Sequence, residues 1–144
     1  NPRFHDELAN VCRKEKISLL PYSPMAGGVI SGKYNNEFIP DEVRFAIYLK
    51  DKSKRVQAMA NRFVNNKTLE ATKKYIELSK NYGISPITLA VSYSKHFDFV
   101  ASTIIGARKA EQLEDSFKAF DFKIDDELLR KIENIQKEIL YPMG

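Results

Sequence analysis

Two turns hold the residues of this chain best suited to gripping an anion. The first reads Ser23-Pro24-Met25-Ala26-Gly27-Gly28-Val29-Ile30-Ser31-Gly32-Lys33-Tyr34 and follows the apolar run Ile17 to Tyr22. The second reads Gly106-Ala107-Arg108-Lys109-Ala110-Glu111-Gln112, follows the apolar run Val100 to Ile105, and leads into a helical pattern. Glycine lets backbone come close to a ligand, and free N–H groups at a helix start favour phosphate. The pairing predicts two parallel strands whose carboxyl ends face one anionic ligand, with Lys33 and Arg108 as its cations. Gly27, Gly32 and Lys33 also fit the glycine, four residues, glycine, lysine spacing of a triphosphate-binding P-loop. That motif needs Ser or Thr next, to hold Mg²⁺, and here stands Tyr34, with Pro40 soon after opposing the helix that should open at the lysine.

Each remaining candidate has a plainer reading beside the chemical one. Tyr22, at the end of its strand, can lie against a flat ligand or form part of the rim of the core. Arg108, just past Gly106, can hold a phosphate bidentately or stand in solvent. Asp125-Asp126-Glu127 suggests metal or acid/base chemistry, but acidic residues at a helix start already serve capping and the helix dipole. Glu111 and Glu114 read the same way. Cys12 is the single cysteine, and the two histidines, His5 and His96, are far apart, so no zinc-type ligand spacing exists.

The elements that must position the two turns follow from periodicity. Phe4, Leu8, Val11 and Cys12 predict a helix before the first strand. Residues 23 to about 66 form a long polar excursion whose clear order is the helical spacing of Val56, Met59, Ala60 and Phe63; such connections are usually functional or mobile. Ala71, Tyr75, Leu78 and Tyr82 mark a helix that stops at Gly83, and Ser85-Pro86 caps another carrying Leu89, Ala90, Tyr93 and Phe97. After the second strand, Leu113, Phe117 and Phe120 mark one helix. Asp125 caps the last, buried through Leu128, Ile132, Ile135 and Ile139, with Ile124 as a staple. Helices alternating with apolar strands indicate a parallel α/β sheet buried on both faces. Two strands cannot serve so many helices, since a sheet commonly has about five or six. The expectation is therefore the C-terminal part of a larger α/β protein, and the opening at Asn1-Pro2 without methionine agrees.

Bulk properties narrow the partners. With 144 residues, 43% of them hydrophobic and 29% charged, the composition is that of one globular domain. No stretch approaches the ~20 apolar residues of a membrane span. The net charge of +4 comes from lysines scattered among acidic residues, which sets aside nucleic-acid and membrane-surface roles. One cysteine excludes an internal disulfide and suggests a reducing compartment, the cytoplasm.

Tyr22 through Tyr34 resembles the loop after strand seven of aldo-keto reductases, and Ser102 through Leu113 resembles their strand eight and phosphate-binding turn. The resemblance runs from Arg3 to Pro142 and is strongest toward bacterial Tas-like reductases, which are also similar to potassium-channel β subunits. It implies a (β/α)8 TIM barrel, of which this chain supplies the last two strands, their helices and a long loop over the cofactor, NADPH. By matched position Tyr22 stacks on the nicotinamide. Ser23, Pro24, Met25, Ala26 and Gly27 follow the ribose and pyrophosphate, while Lys33 and Arg44 offer charge. Gly106, Arg108, Gln112 and Glu114 hold the adenosine end, Arg108 facing the 2′-phosphate. Ser116 stands where many members carry Asn, which weakens the contact to adenine. The family's catalytic Asp, Tyr, Lys and His belong to earlier strands, so this segment alone is expected to be inactive; unpaired strand edges and an incomplete core would make it associate, rearrange or be partly disordered. The implied parent reduces an aldehyde or ketone; the alternatives are a cofactor-binding regulatory module with little turnover, and the P-loop reading.

Overall fold

The computed structural model describes residues 3–143; Asn1 and Pro2, on which the opening without methionine rests, and Gly144 lie outside the described residues. Along the chain run α1 (Arg3–Asp6), α2 (Leu8–Glu15), a 3-10 segment at Ala26–Ser31, α3 (Arg44–Leu49), α4 (Lys54–Phe63), α5 (Asn66–Asn81) and α6 (Pro86–Lys95). A second 3-10 turn, Ala110–Leu113, then leads into α7 (Glu114–Lys118), and α8 (Asp126–Glu138) closes the series.

The helix boundaries are set by the residues whose chemistry favours them. The Asn65 side chain accepts the Thr68 N–H at 3.0 Å to start α5, and Gly83 (φ 65) turns the chain out of it. The Ser85 hydroxyl accepts the Thr88 N–H at 3.0 Å ahead of Pro86. Asp125 accepts the Leu128 N–H at 2.8 Å to open α8. Asp125 is thus a cap, and among the described residues no group of three or more His, Cys, Asp or Glu is placed to hold a metal. The faces of α5, α6 and α8 meet in a core of Leu78, Leu89, Ile124, Leu128 and Ile132. No helix among the described residues is long and apolar enough to cross a membrane.

The two expected strands are much shorter than their apolar runs. They meet in parallel, but only at single bridges, Leu19 with Val100 and Tyr22 with Ile104. The Leu19 N–H donates to Phe99 O at 2.7 Å, Ala101 N–H to Leu19 O at 3.0 Å, and Ile104 N–H to Pro21 O at 2.8 Å. Pro21 lies between the bridges without an N–H to donate, and a pair with no further neighbour is marginal as a ladder. Ile17, Leu20, Tyr22 and Ile104 are left exposed.

Other expectations also change. The first helix is broken at Glu7 into α1 and α2, and Leu8 and Val11 are exposed. Ala9 and Cys12 are the residues that pack, against Phe99, and Arg13 secures this corner with a fork onto both oxygens of Asp98, each at 2.8 Å. Phe117 and Phe120, expected on a buried face, are 52% and 71% exposed and stack on each other at 6.1 Å. The excursion over residues 23–66 is ordered by a core of its own, Val29, Tyr34, Phe45 and Ala60. The helix expected from Val56, Met59, Ala60 and Phe63 is α4, whereas Tyr34 and Phe45 lie outside that spacing and are not revealed by it.

Candidate cofactor site

The first glycine turn is built from positive backbone angles. Gly27 (φ 65), Gly28 (φ 93) and Gly32 (φ 82) occupy the region glycine tolerates best, and Ser23 (φ 59) and Ala26 (φ 49) share it without that freedom. Space is also short. A Cβ on Gly27 would lie 2.7 Å from Cζ of Phe45, and one on Gly28 would lie 2.8 Å from Nζ of Lys33. Lys33 therefore folds back over the turn, its ammonium 5.3 Å from the centre of the Tyr34 ring.

The backbone N–H groups expected to cradle phosphate are largely used within the turns. Ala26 N–H donates to Ser23 O at 2.9 Å, Gly28 N–H to Met25 O at 2.8 Å and Gly32 N–H to Val29 O at 2.9 Å. Gly27 N–H donates to the Ser23 hydroxyl at 3.2 Å. In the second turn the Arg108 N–H donates to Oε1 of Gln112 at 3.0 Å. Such compact turns satisfy their own donors, so attraction for an anion falls to the side chains.

Those side chains converge. Lys33 is held below the ordinary lysine pKa by burial first and then by the nearby guanidiniums of Arg44 and Arg108. Arg108 reaches across from the second turn to donate to the Glu42 carbonyl at 3.3 Å. Among the described residues no ion pair joins any of these three cations to a carboxylate. Tyr34, which ends the P-loop spacing, explains how Arg44 is placed. Its buried hydroxyl accepts the Phe45 N–H at 3.2 Å and so satisfies a donor in the first turn of α3, the helix that Arg44 opens. Burial raises the Tyr34 pKa, with the Phe45 N–H and Arg44 opposing, so the phenol stays neutral. No helix opens at Lys33, and the next one starts at Arg44. The P-loop reading thereby loses its helix.

The other expected residues are distributed around this cluster. Tyr22 is 81% exposed at the end of the first bridge strand. Pro24, Met25 and Ala26 are half-buried, and Gly106, Gln112 and Glu114 are exposed. Ser116 is buried in α7, its hydroxyl without a hydrogen-bond partner. Sequence reading missed Tyr34, Phe45 and the Glu42 carbonyl. The aromatic pair within the excursion is a signal the sequence does carry, whereas a carbonyl acceptor leaves none.

Residues 1–137 match the family model of the aldo/keto reductases. The chain belongs to the aldo/keto reductase family. It is 27% identical over 142 residues to Protein tas of Escherichia coli K12, covering 99% of this chain and 38% of that protein. A putative voltage-gated potassium channel subunit beta of Schizosaccharomyces pombe is 28% identical over 116 residues, covering 79% of this chain and 32% of its own length. L-glyceraldehyde 3-phosphate reductase of Escherichia coli K12 is 26% identical over 114 residues, with 79% and 32% covered. The fold is similar to that of a glycerol dehydrogenase from Gluconobacter oxydans, with a TM-score of 0.67, 20% sequence identity, and coverage of 96% of this chain and 40% of that one. The chain thus spans about two fifths of the Tas and glycerol dehydrogenase chains. Family membership and this likeness imply the family's (β/α)8 barrel fold.

Proposed function

We propose that this chain is the C-terminal, NADPH-holding part of a (β/α)8 barrel oxidoreductase. The observation that carries the proposal is the convergence of Lys33, Arg44 and Arg108, drawn from two distant turns and an intervening helix, with no carboxylate among the described residues paired to them. Three cations this close, two of them lowering the third's pKa after burial has done so, favour an anion of high charge, and a dinucleotide carrying an extra 2′-phosphate is one. The exposed Ile17, Leu20, Tyr22 and Ile104 support the barrel part of the proposal, since neighbouring strands would cover apolar residues of this kind.

In this reading Tyr22 lies against the nicotinamide, and residues 23–27 follow the ribose and pyrophosphate. Lys33 and Arg44 hold the phosphates, while Gly106, Arg108, Gln112 and Glu114 hold the adenosine end. Gln112 keeps the Arg108 backbone in place, and the guanidinium meets the 2′-phosphate. The buried Ser116 makes no strong contact to adenine. NADPH supplies the hydride delivered to an aldehyde or ketone carbon, and the groups that handle the proton belong to the rest of the barrel.

Titration of the complete protein by nicotinamide fluorescence tests this. Arg108→Ala is expected to weaken NADPH by about 1.5–3 kcal/mol, the contribution of a charge-assisted hydrogen bond, and NADH far less. Equal losses would remove Arg108 from the 2′-phosphate. The relatives include proteins named as reductases and as channel subunits, so NADPH oxidation with a panel of aldehydes separates an enzyme from a binding module.

A further inference from the structure

The glycine turn and the helices α5, α6 and α8 border a partly open pocket of about 160 Å³ to which Lys33, Arg44 and Arg108 do not contribute. Pro24, Ala26, Val29 and Ile30 form one wall, α5, α6 and α8 form the others, and the tail residues Pro142 and Met143 border it. No charged side chain lines it. Its polar atoms are few. Thr68 gives its hydroxyl proton to the Pro142 carbonyl at 3.1 Å. Tyr93 accepts from Nε2 of Gln136 at 2.9 Å and so keeps its own O–H proton to donate. Burial raises the pKa of both Tyr75 and Tyr93, so each is a neutral phenol at ordinary pH.

We propose that this cavity binds a neutral, single-ring phenol, independently of the cationic cluster. Size selects one ring, because an apolar cavity of about 150 Å³ accommodates benzene. Two tyrosine rings and the Met143 thioether offer edge and sulfur contacts that suit an aromatic guest. The Tyr93–Gln136 pair supplies one hydrogen-bonding point, enough for a single hydroxyl. The uncharged lining rejects an anion of the same size, which would be desolvated without a counter-charge.

Saturation-transfer NMR on the complete protein tests the proposal with p-cresol, toluene and benzoate. p-Cresol is expected to bind saturably, toluene about three- to tenfold more weakly for want of the hydroxyl, and benzoate not at all. Ala90→Leu, which fills the pocket, abolishes p-cresol binding while circular dichroism stays native; Tyr93→Phe, which removes the O–H that would meet the ligand, brings p-cresol down to the level of toluene. Hydrogen exchange on the unsubstituted protein localises the ligand whether or not the variants fold, with slowing expected over 26–31 and 132–139. No binding of p-cresol, benzoate binding as tightly as p-cresol, or protection confined to other residues would overturn the assignment.

Discussion

The segment around the glycine turn and the three-helix region of α5, α6 and α8 are built on opposite principles. In the helical region each start has a side chain bonded to a first-turn N–H, from Asn65, Ser85 and Asp125, and apolar faces close on Leu128 and Ile132. The turn region instead holds five positive φ angles from Ser23 to Gly32, and Lys33, with the guanidiniums of Arg44 and Arg108 nearby, lies over the Tyr34 ring of its aromatic core. One region collects stabilising terms that need no ligand. The other retains backbone strain and like-charge repulsion that a bound anion would relieve, as binding sites commonly do.

The contrast can be broken most forcefully from the helical side. Leu128 is 1% exposed at the centre of its core, so Leu128→Ala is expected to cost about 2–5 kcal/mol in urea denaturation. A loss under 1 kcal/mol would show that this core is not what holds the chain together. Next comes the turn itself. Gly27→Ala adds a methyl at φ 65 against the Phe45 ring and is expected to cost about 1–3 kcal/mol in the same measurement, and to weaken NADPH in the complete protein. Unchanged stability would mean that the turn relaxes without strain.

Smaller effects sharpen the comparison. Asp125→Ala removes the cap of α8 and is expected to cost about 1 kcal/mol, with no change in cofactor affinity. Alkaline pH should pull Lys33 and the buried tyrosines in opposite directions, with Tyr34 of the turn region acting like Tyr75 and Tyr93. Lys33 loses its proton more readily folded than unfolded, so between its lowered value and the ordinary 10.5 the unfolded chain binds more protons and stability rises with pH. Tyr75 and Tyr93 hold their protons more tightly when folded, so above the ordinary 10.0 stability falls. Denaturation series from pH 8 to 11 should therefore lose the rise in Lys33→Met and lose part of the fall in Tyr75→Phe. Solvent screening keeps the lysine effect below about 1 kcal/mol. Identical slopes in Lys33→Met and the unsubstituted protein would remove the repulsion from the account.

Much of this was legible along the chain because local chemistry specified it. Gly83, the Ser85-Pro86 pair and Asp125 fixed helix ends through backbone angles and short-range hydrogen bonds, and the spacing of Leu128 and Ile132 fixed a buried face. Apart from α4, whose spacing was legible, the long excursion was opaque, because Tyr34 and Phe45 find each other at a separation that no regular element predicts. Phe117 and Phe120 misled for the complementary reason: helical spacing predicts a face, and only neighbours decide whether it is covered.

By itself, then, the sequence determined which segments turn, which coil into helices, and that two glycine-bearing turns carry cations, because capping, steric limits and periodicity act over a few residues. Tertiary structure alone decided that Arg108 comes to Lys33 and Arg44, that the turn N–H groups are largely satisfied, and that an apolar pocket forms between the turn and the helices. Electrostatic repulsion and enclosed volume depend on distances between residues remote in the chain, and those distances exist only once the helices have packed.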